Sequence, residues 1–142
     1  MSDDRSSSPP RSRTRLLIID DDPQMRRLLT SLLAHYGAPD SLVAEDAAEA
    51  AALLASERVD GIVLDLMMPR MHGTELLRVL REHDQTRMTP VLIVSGDGSR
   101  ESVLAIAELG AFDFVLKPLR PAIVGERLQR FISHCREQAR AG

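Results

Sequence analysis

Six residues stand out by where they fall in the chain. Asp20 and Asp21 directly follow the apolar run Leu16–Ile19, and Asp22 comes next, before Pro23. Asp65 follows Gly61–Leu64, Ser95 follows Pro90–Val94, and Lys117 follows Phe112–Leu116. Lys117 is the single lysine among 18 basic residues; the rest are arginine. Two carboxylates ~4 Å apart repel by about 1 kcal/mol in water and by several at a protein-like dielectric. Three together raise one another's pKa. A hard divalent cation removes that cost, and an all-oxygen site with few protein ligands suits Mg²⁺. The sequence carries neither EF-hand spacing nor the Cys/His cluster that zinc requires. A metal and Lys117 together would place positive charge around one carboxylate. That arrangement stabilises a phosphoryl group in transfer, and carboxylates can carry phosphate covalently. Asp20 and Asp21, being adjacent, read as the metal anchor. Asp65, alone at its strand end, reads as the nucleophile, and Ser95 as a hydroxyl donor. Asp22 reads as a helix cap.

These residues meet only if the elements before them lie side by side. The runs Leu16–Ile19, Ser41–Glu45, Gly61–Leu64, Pro90–Val94 and Phe112–Leu116 are short, mostly apolar and largely without alternation, as strands covered on both faces are. Helical patterns separate them. The first is opened by Pro23, has Met25, Leu28, Leu29, Leu32 and Leu33 on one face, and is stopped by Gly37. The second is an Ala-rich run to Ser56 behind a capping-box pair, Asp46 and Glu49. A loop over 65–73 leads to a helix with Leu76, Leu77, Val79 and Leu80. The turn Gly96–Gly98 leads to one with Val103, Leu104, Ile106, Ala107 and Leu109, stopped by Gly110. The last helix carries Val124, Leu128, Phe131, Ile132 and Cys135. Strict alternation of strand and helix predicts a parallel sheet with right-handed crossovers and helices on both faces. In such a sheet ligands bind beyond the carboxyl ends of the strands, where the polar residues above collect.

At 142 residues the chain suits one domain. Residues 1–14 are rich in Ser, Pro and Arg and read as a disordered leader, residues 15–137 as the domain, and residues 138–142 as a tail or truncated linker. Net charge is −3; the first fifteen residues hold four arginines against two aspartates, which leaves −5 on the remainder. An acidic body with 3% aromatics argues against a nucleic-acid surface. No apolar run is long enough for a membrane span, residues 1–15 lack a signal-peptide core, and one cysteine forms no internal disulfide. A cytoplasmic setting is the expectation.

The motifs LLIIDDDPQMRRLL (16–29), GIVLDLMMPRMHG (61–73), PVLIVSG (90–96) and GAFDFVLKP (110–118) occur in order at characteristic spacing, and residues 15–137 resemble the response-regulator receiver domain of two-component signalling. The resemblance implies a flavodoxin-like, doubly wound five-stranded sheet of order 2-1-3-4-5. It implies Mg²⁺ held by Asp20, Asp21, Asp65 and the backbone carbonyl of Met67, and phosphorylation of Asp65 with Lys117 and Ser95 assisting. Ser95 and Phe114 match the family's switch positions, and Lys117–Pro118 its cis peptide bond. Phe114 lacks the hydroxyl of the tyrosine frequent there; Met67 and Asp97 flank the path of an attacking water. Met68 is expected to point inward.

By the same resemblance the phosphoryl donor is a histidine kinase or a histidine phosphotransfer protein. The recipient of the signal is a downstream effector protein, a C-terminal output domain beyond this sequence, or a second copy in a homodimer. Such a domain is a switch rather than an enzyme, catalysing only its own phosphorylation and dephosphorylation.

Three rival readings are weaker. A haloacid-dehalogenase-type phosphatase would share Asp20-x-Asp22, but needs an acidic metal pair after the lysine, where only Glu126 and Glu137 follow. A flavodoxin-type cofactor protein would need aromatics to hold a flavin. A receiver-like module that binds without phosphorylation would have lost motif residues that are all present here.

Overall fold

The structure, a computed structural model, describes residues 13–141. Five strands, β1 (Leu16–Ile19), β2 (Leu42–Ala44), β3 (Gly61–Leu64), β4 (Val91–Ser95) and β5 (Asp113–Leu116), alternate with five helices. These are α1 (Pro23–His35), α2 (Ala47–Ser56), α3 (Gly73–Glu82), α4 (Arg100–Glu108) and α5 (Pro121–Ala141). The sheet is wholly parallel in the order β2-β1-β3-β4-β5, as expected.

The central strands have no solvent face. Leu16 and Ile18 pack with Leu29, Leu33, Leu128 and Phe131 of α1 and α5. Leu17 and Ile19 pack with Leu76, Leu77, Leu80 and Ile106 of α3 and α4. Burial on both sides selects the uninterrupted β-branched and leucine runs. Gly61 is required by this packing, because a Cβ there would collide with Cys135 Sγ and stand 2.9 Å from Leu16 Cδ2.

Local chemistry sets the helix ends. Asp22 caps α1, its side chain accepting from Gln24 N–H at 2.9 Å. Both α1 and α4 close in Schellman turns. Gly37 (φ 109°) and Gly110 (φ 72°) adopt the left-handed conformation there, and Ala38 and Ala111 donate back to Leu33 and Ile106. Asp46 accepts from Glu49 N–H, but Glu49 returns its bond to Glu45 N–H rather than to the cap residue itself.

Boundaries differ from the sequence expectation in small ways. Strand β2 is shorter by one residue at each end, β4 is displaced by one, and β5 starts one later. Residues 1–12 of the expected leader lie outside the described residues. Arg13 and Thr14 belong to the body: Arg13 pairs with Asp40 at 3.2 Å, and Thr14 is buried. The last helix continues past the expected boundary at 137 through Ala141. Among the described residues no helix is long and apolar enough to cross a membrane.

Candidate functional site

The sheet's hydrogen-bond ladder runs one residue past the strands at their carboxyl ends. Asp65 N–H donates to Ile19 O at 3.0 Å, Asp20 N–H to Ala44 O at 3.1 Å, and Lys117 N–H to Ser95 O at 2.9 Å. Register alone therefore brings Asp20, Asp65, Ser95 and Lys117 to one edge, although 97 positions separate Asp20 from Lys117.

Carboxylate oxygens of Asp20, Asp21 and Asp65 lie within 4.8 Å of one another. Asp20 and Asp65 are buried and Asp21 is exposed, so the cluster is open on one side only. Lys117 Nζ bridges the two buried carboxylates, 3.0 Å from Asp20 Oδ2 and 3.3 Å from Asp65 Oδ2. The other oxygen of each is held by backbone. Asp22 N–H donates to Asp20 Oδ1 at 2.9 Å, and Met67 N–H to Asp65 Oδ1 at 3.1 Å. Arg26 ties the start of α1 to the same place by donating to Asp20 O at 2.8 Å.

Burial pushes the Asp20 carboxyl up, and the Asp65 charge adds to the rise; the Asp22 amide and Lys117 offset only part of it. For Lys117, burial acts downward and is the largest single influence. Its hydrogen bond to Asp20 and the charges of Asp65 and Asp20 together outweigh it, so the ammonium stands above the ordinary lysine value. The site therefore holds a fixed cation beside carboxylates whose charge remains incompletely compensated. An all-oxygen donor set of this charge, with one solvent-facing member, fits a hexacoordinate cation that keeps water ligands, as Mg²⁺ does.

Two glycines shape the surroundings. Gly73 begins α3 directly against the phosphoacceptor candidate, where a Cβ would stand 2.5 Å from Asp65 O and 2.6 Å from Leu66 Cα. Gly96, after Ser95, meets nothing within 4 Å, which leaves room beside the site. Ser95 is fully buried, and its Oγ accepts from Asp97 N–H at 3.2 Å. Phe114 is half-buried under the β4–α4 loop, its Cζ 3.9 Å from a Cβ built on Gly98. Met68 points inward as expected, whereas the Met67 side chain is 57% exposed. The Lys117–Pro118 peptide is cis.

Two residues near the site, His72 and Arg70, were not singled out by sequence. His72 caps α3, its Nδ1 accepting from Thr74 N–H at 3.1 Å, and its Nε2 lies 3.3 Å from Asp97 Oδ2. Arg70, in the same loop, holds a left-handed φ of 73°. The proline-punctuated loop was legible in sequence; its local backbone turn was not.

Fold and site together define an α/β domain of the flavodoxin-like class with an acidic cluster and a lysine at its strand ends. The chain belongs to the response regulator receiver domain family, which matches residues 16–129. It is thus a receiver domain of two-component signalling. It is 32% identical to the chemotaxis protein CheY of Pseudomonas aeruginosa over 103 residues, which is 72% of this chain and 83% of that protein. Among solved structures it is similar to CheY4 of Vibrio cholerae, with a TM-score of 0.76, 29% identity, and coverage of 84% of this chain and 98% of that one. It is likewise similar to the signal receiver domain of a signal transduction histidine kinase from Syntrophus aciditrophicus, with a TM-score of 0.74, 28% identity, and coverage of 85% and 91%.

Proposed function

We propose that Asp65 accepts a phosphoryl group from a histidine kinase or a histidine phosphotransfer protein, and that the acyl phosphate reshapes the face formed by α4, β5 and α5. The observation carrying this reading is the Lys117 ammonium bridging Asp20 and Asp65 at 3.0 and 3.3 Å. It orients the nucleophile and supplies a cation where charge develops on the transferring group.

Asp20, Asp21, Asp65 and the Met67 carbonyl would hold Mg²⁺. When bound, that ion would neutralise the carboxylates and draw charge from the phosphoryl oxygens. In the transfer, an Asp65 oxygen bonds to phosphorus as the phosphorus–nitrogen bond of the donor histidine breaks. The imidazole leaves and takes up a proton. Hydrolysis later breaks the oxygen–phosphorus bond and returns Asp65 with inorganic phosphate. The domain acts on itself alone and turns over no separate substrate.

For the response, Ser95 turns its hydroxyl to the phosphoryl group and the β4–α4 loop follows. Phe114, packed beneath that loop, moves into the vacated space by packing alone, since it carries no hydroxyl. The face that changes already exposes Leu104, Leu116 and Ile123. It would meet an effector protein, an output domain or a second copy of the chain. We place the domain in the cytoplasm, the compartment of the proposed donors.

The test is phosphoryl uptake from acetyl phosphate, followed by intact mass. One phosphoryl increment is expected with Mg²⁺ and none with chelator or in Asp65→Asn. Undiminished uptake by Asp65→Asn overturns the assignment.

A further inference from the structure

We infer that His72 and Asp97 form a clasp between the loop that follows Asp65 and the loop that follows Ser95, and that this clasp holds Ser95 in its resting position. The inference rests on the proposed role of Asp65 only for its consequence; the clasp itself is a matter of geometry.

His72 Nδ1 accepts from Thr74 N–H, so that nitrogen carries a lone pair. The proton of the neutral ring then sits on Nε2, the atom 3.3 Å from Asp97 Oδ2. Asp97 is itself anchored on the α4 side. Ser102 Oγ donates to its Oδ2 at 2.6 Å and Ser99 N–H to its Oδ1 at 3.0 Å. These bonds, the Ser102 hydroxyl foremost, keep the carboxyl well below the usual aspartate range, so the acceptor is charged at neutral pH. Asp97 also donates its own N–H to Ser95 Oγ at 3.2 Å. One residue therefore joins His72 by its side chain and the buried Ser95 hydroxyl by its backbone.

For Ser95 to turn toward Asp65, the Asp97 amide must release it. Gly96 leaves open space for that motion, while Gly98 sits close against Leu116 and Phe114. Motion of this loop stretches the His72 contact, because His72 is fixed to the N-terminus of α3. His72 and Asp97 are thus positioning residues for Ser95. Their contact opposes the rearrangement that follows phosphorylation, and weakening it favours the rearranged state.

Two substitutions separate the clasp from the helix cap. An asparagine side-chain oxygen reproduces the position of Nδ1 and caps helices well. A glutamine amide reproduces the position of Nε2. His72→Asn therefore keeps the cap and loses the clasp, and His72→Gln does the reverse. The readout is hydrogen-exchange protection of the Asp97 amide in the full chain without phosphodonor, followed by the rate of phosphoryl uptake from acetyl phosphate. In His72→Asn, Asp97 protection falls about fivefold and uptake rises by a similar factor, the size of one net hydrogen bond. In His72→Gln, both stay near wild type while the amides of the first α3 turn lose protection. Unchanged Asp97 protection in His72→Asn, or an equal loss in His72→Gln, overturns the clasp. Absence of phosphoryl uptake in the wild type with this exchange pattern intact instead removes the proposed role of Asp65 and leaves the clasp standing.

Discussion

Replacing Lys117 by methionine keeps the length of the side chain and deletes its charge. The ammonium lies 3.0 Å from one buried carboxylate and 3.3 Å from another. At an effective dielectric near 20, each contact carries about 5 kcal/mol of attraction before desolvation is counted. Removing one partner of a buried pair leaves a net loss of about 3–5 kcal/mol. For a domain of this size that lowers the melting temperature by roughly 10–20 °C. The loss depends on conditions in a way that a packing defect does not. Without the cation, the already raised Asp20 carboxyl loses the charge that had held it down and rises further, so the folded state takes up a proton before the unfolded chain does. Stability of Lys117→Met is therefore lowest at neutral pH and recovers as pH falls toward 5. Saturating Mg²⁺ restores it as well, by mass action on the folded state. The assay is urea unfolding at pH 7 and pH 5, with and without Mg²⁺, beside the rate of phosphoryl uptake, which falls about 100-fold. A variant as stable as wild type at pH 7, or a deficit indifferent to both pH and Mg²⁺, would show that the Lys117 charge does not stabilise the buried carboxylates.

The same electrostatics act in the wild type: because burial raises Asp20 above its ordinary 3.8, the apparent Mg²⁺ affinity declines already above that pH. Titration calorimetry should show up to about a tenfold loss per unit below the raised value, where each bound ion displaces a proton; constant affinity from pH 7 to 4 contradicts it. In the ion-free protein, the raised carboxyl makes stability rise as pH falls toward that value from neutrality. Gly73→Ala forces α3 away from Asp65 O and should abolish most phosphoryl uptake while costing about 2–4 kcal/mol in urea unfolding; full uptake would show that α3 does not set the position of Asp65. Arg81 donates to the carbonyls of Leu109, Gly110, Thr86 and Thr89. Arg81→Leu should lose about 2–3 kcal/mol by leaving those acceptors short of partners, with phosphoryl uptake unaffected in rate.

Much of this architecture was legible in the sequence for identifiable reasons. Leu16–Ile19 and Gly61–Leu64 are buried on both faces, so their composition alone marks them as central parallel strands. Once the strands are parallel, Asp20, Asp65 and Lys117 converge without any knowledge of side-chain positions. Strand ends were harder to read. Ser95 is polar, yet it completes β4 because its carbonyl accepts from Lys117 N–H. Sequence adjacency marked Asp20 and Asp21 as a metal-binding pair but not that the first is buried and the second exposed. His72, Arg70 and Arg81 act through loop conformation, a left-handed backbone angle and carbonyls distant in sequence. None of these leaves a periodicity or a spacing to find.

In the proposed reaction a covalent acyl phosphate forms on Asp65. An acyl phosphate is reduced by borohydride to an alcohol, which converts the aspartate bearing it to homoserine. The most direct measurement is peptide mass spectrometry of the protein after acetyl phosphate, Mg²⁺ and borohydride. Homoserine is expected at position 65, with unmodified aspartate at positions 20, 21 and 22. Conversion at one of those three with Asp65 intact would contradict it.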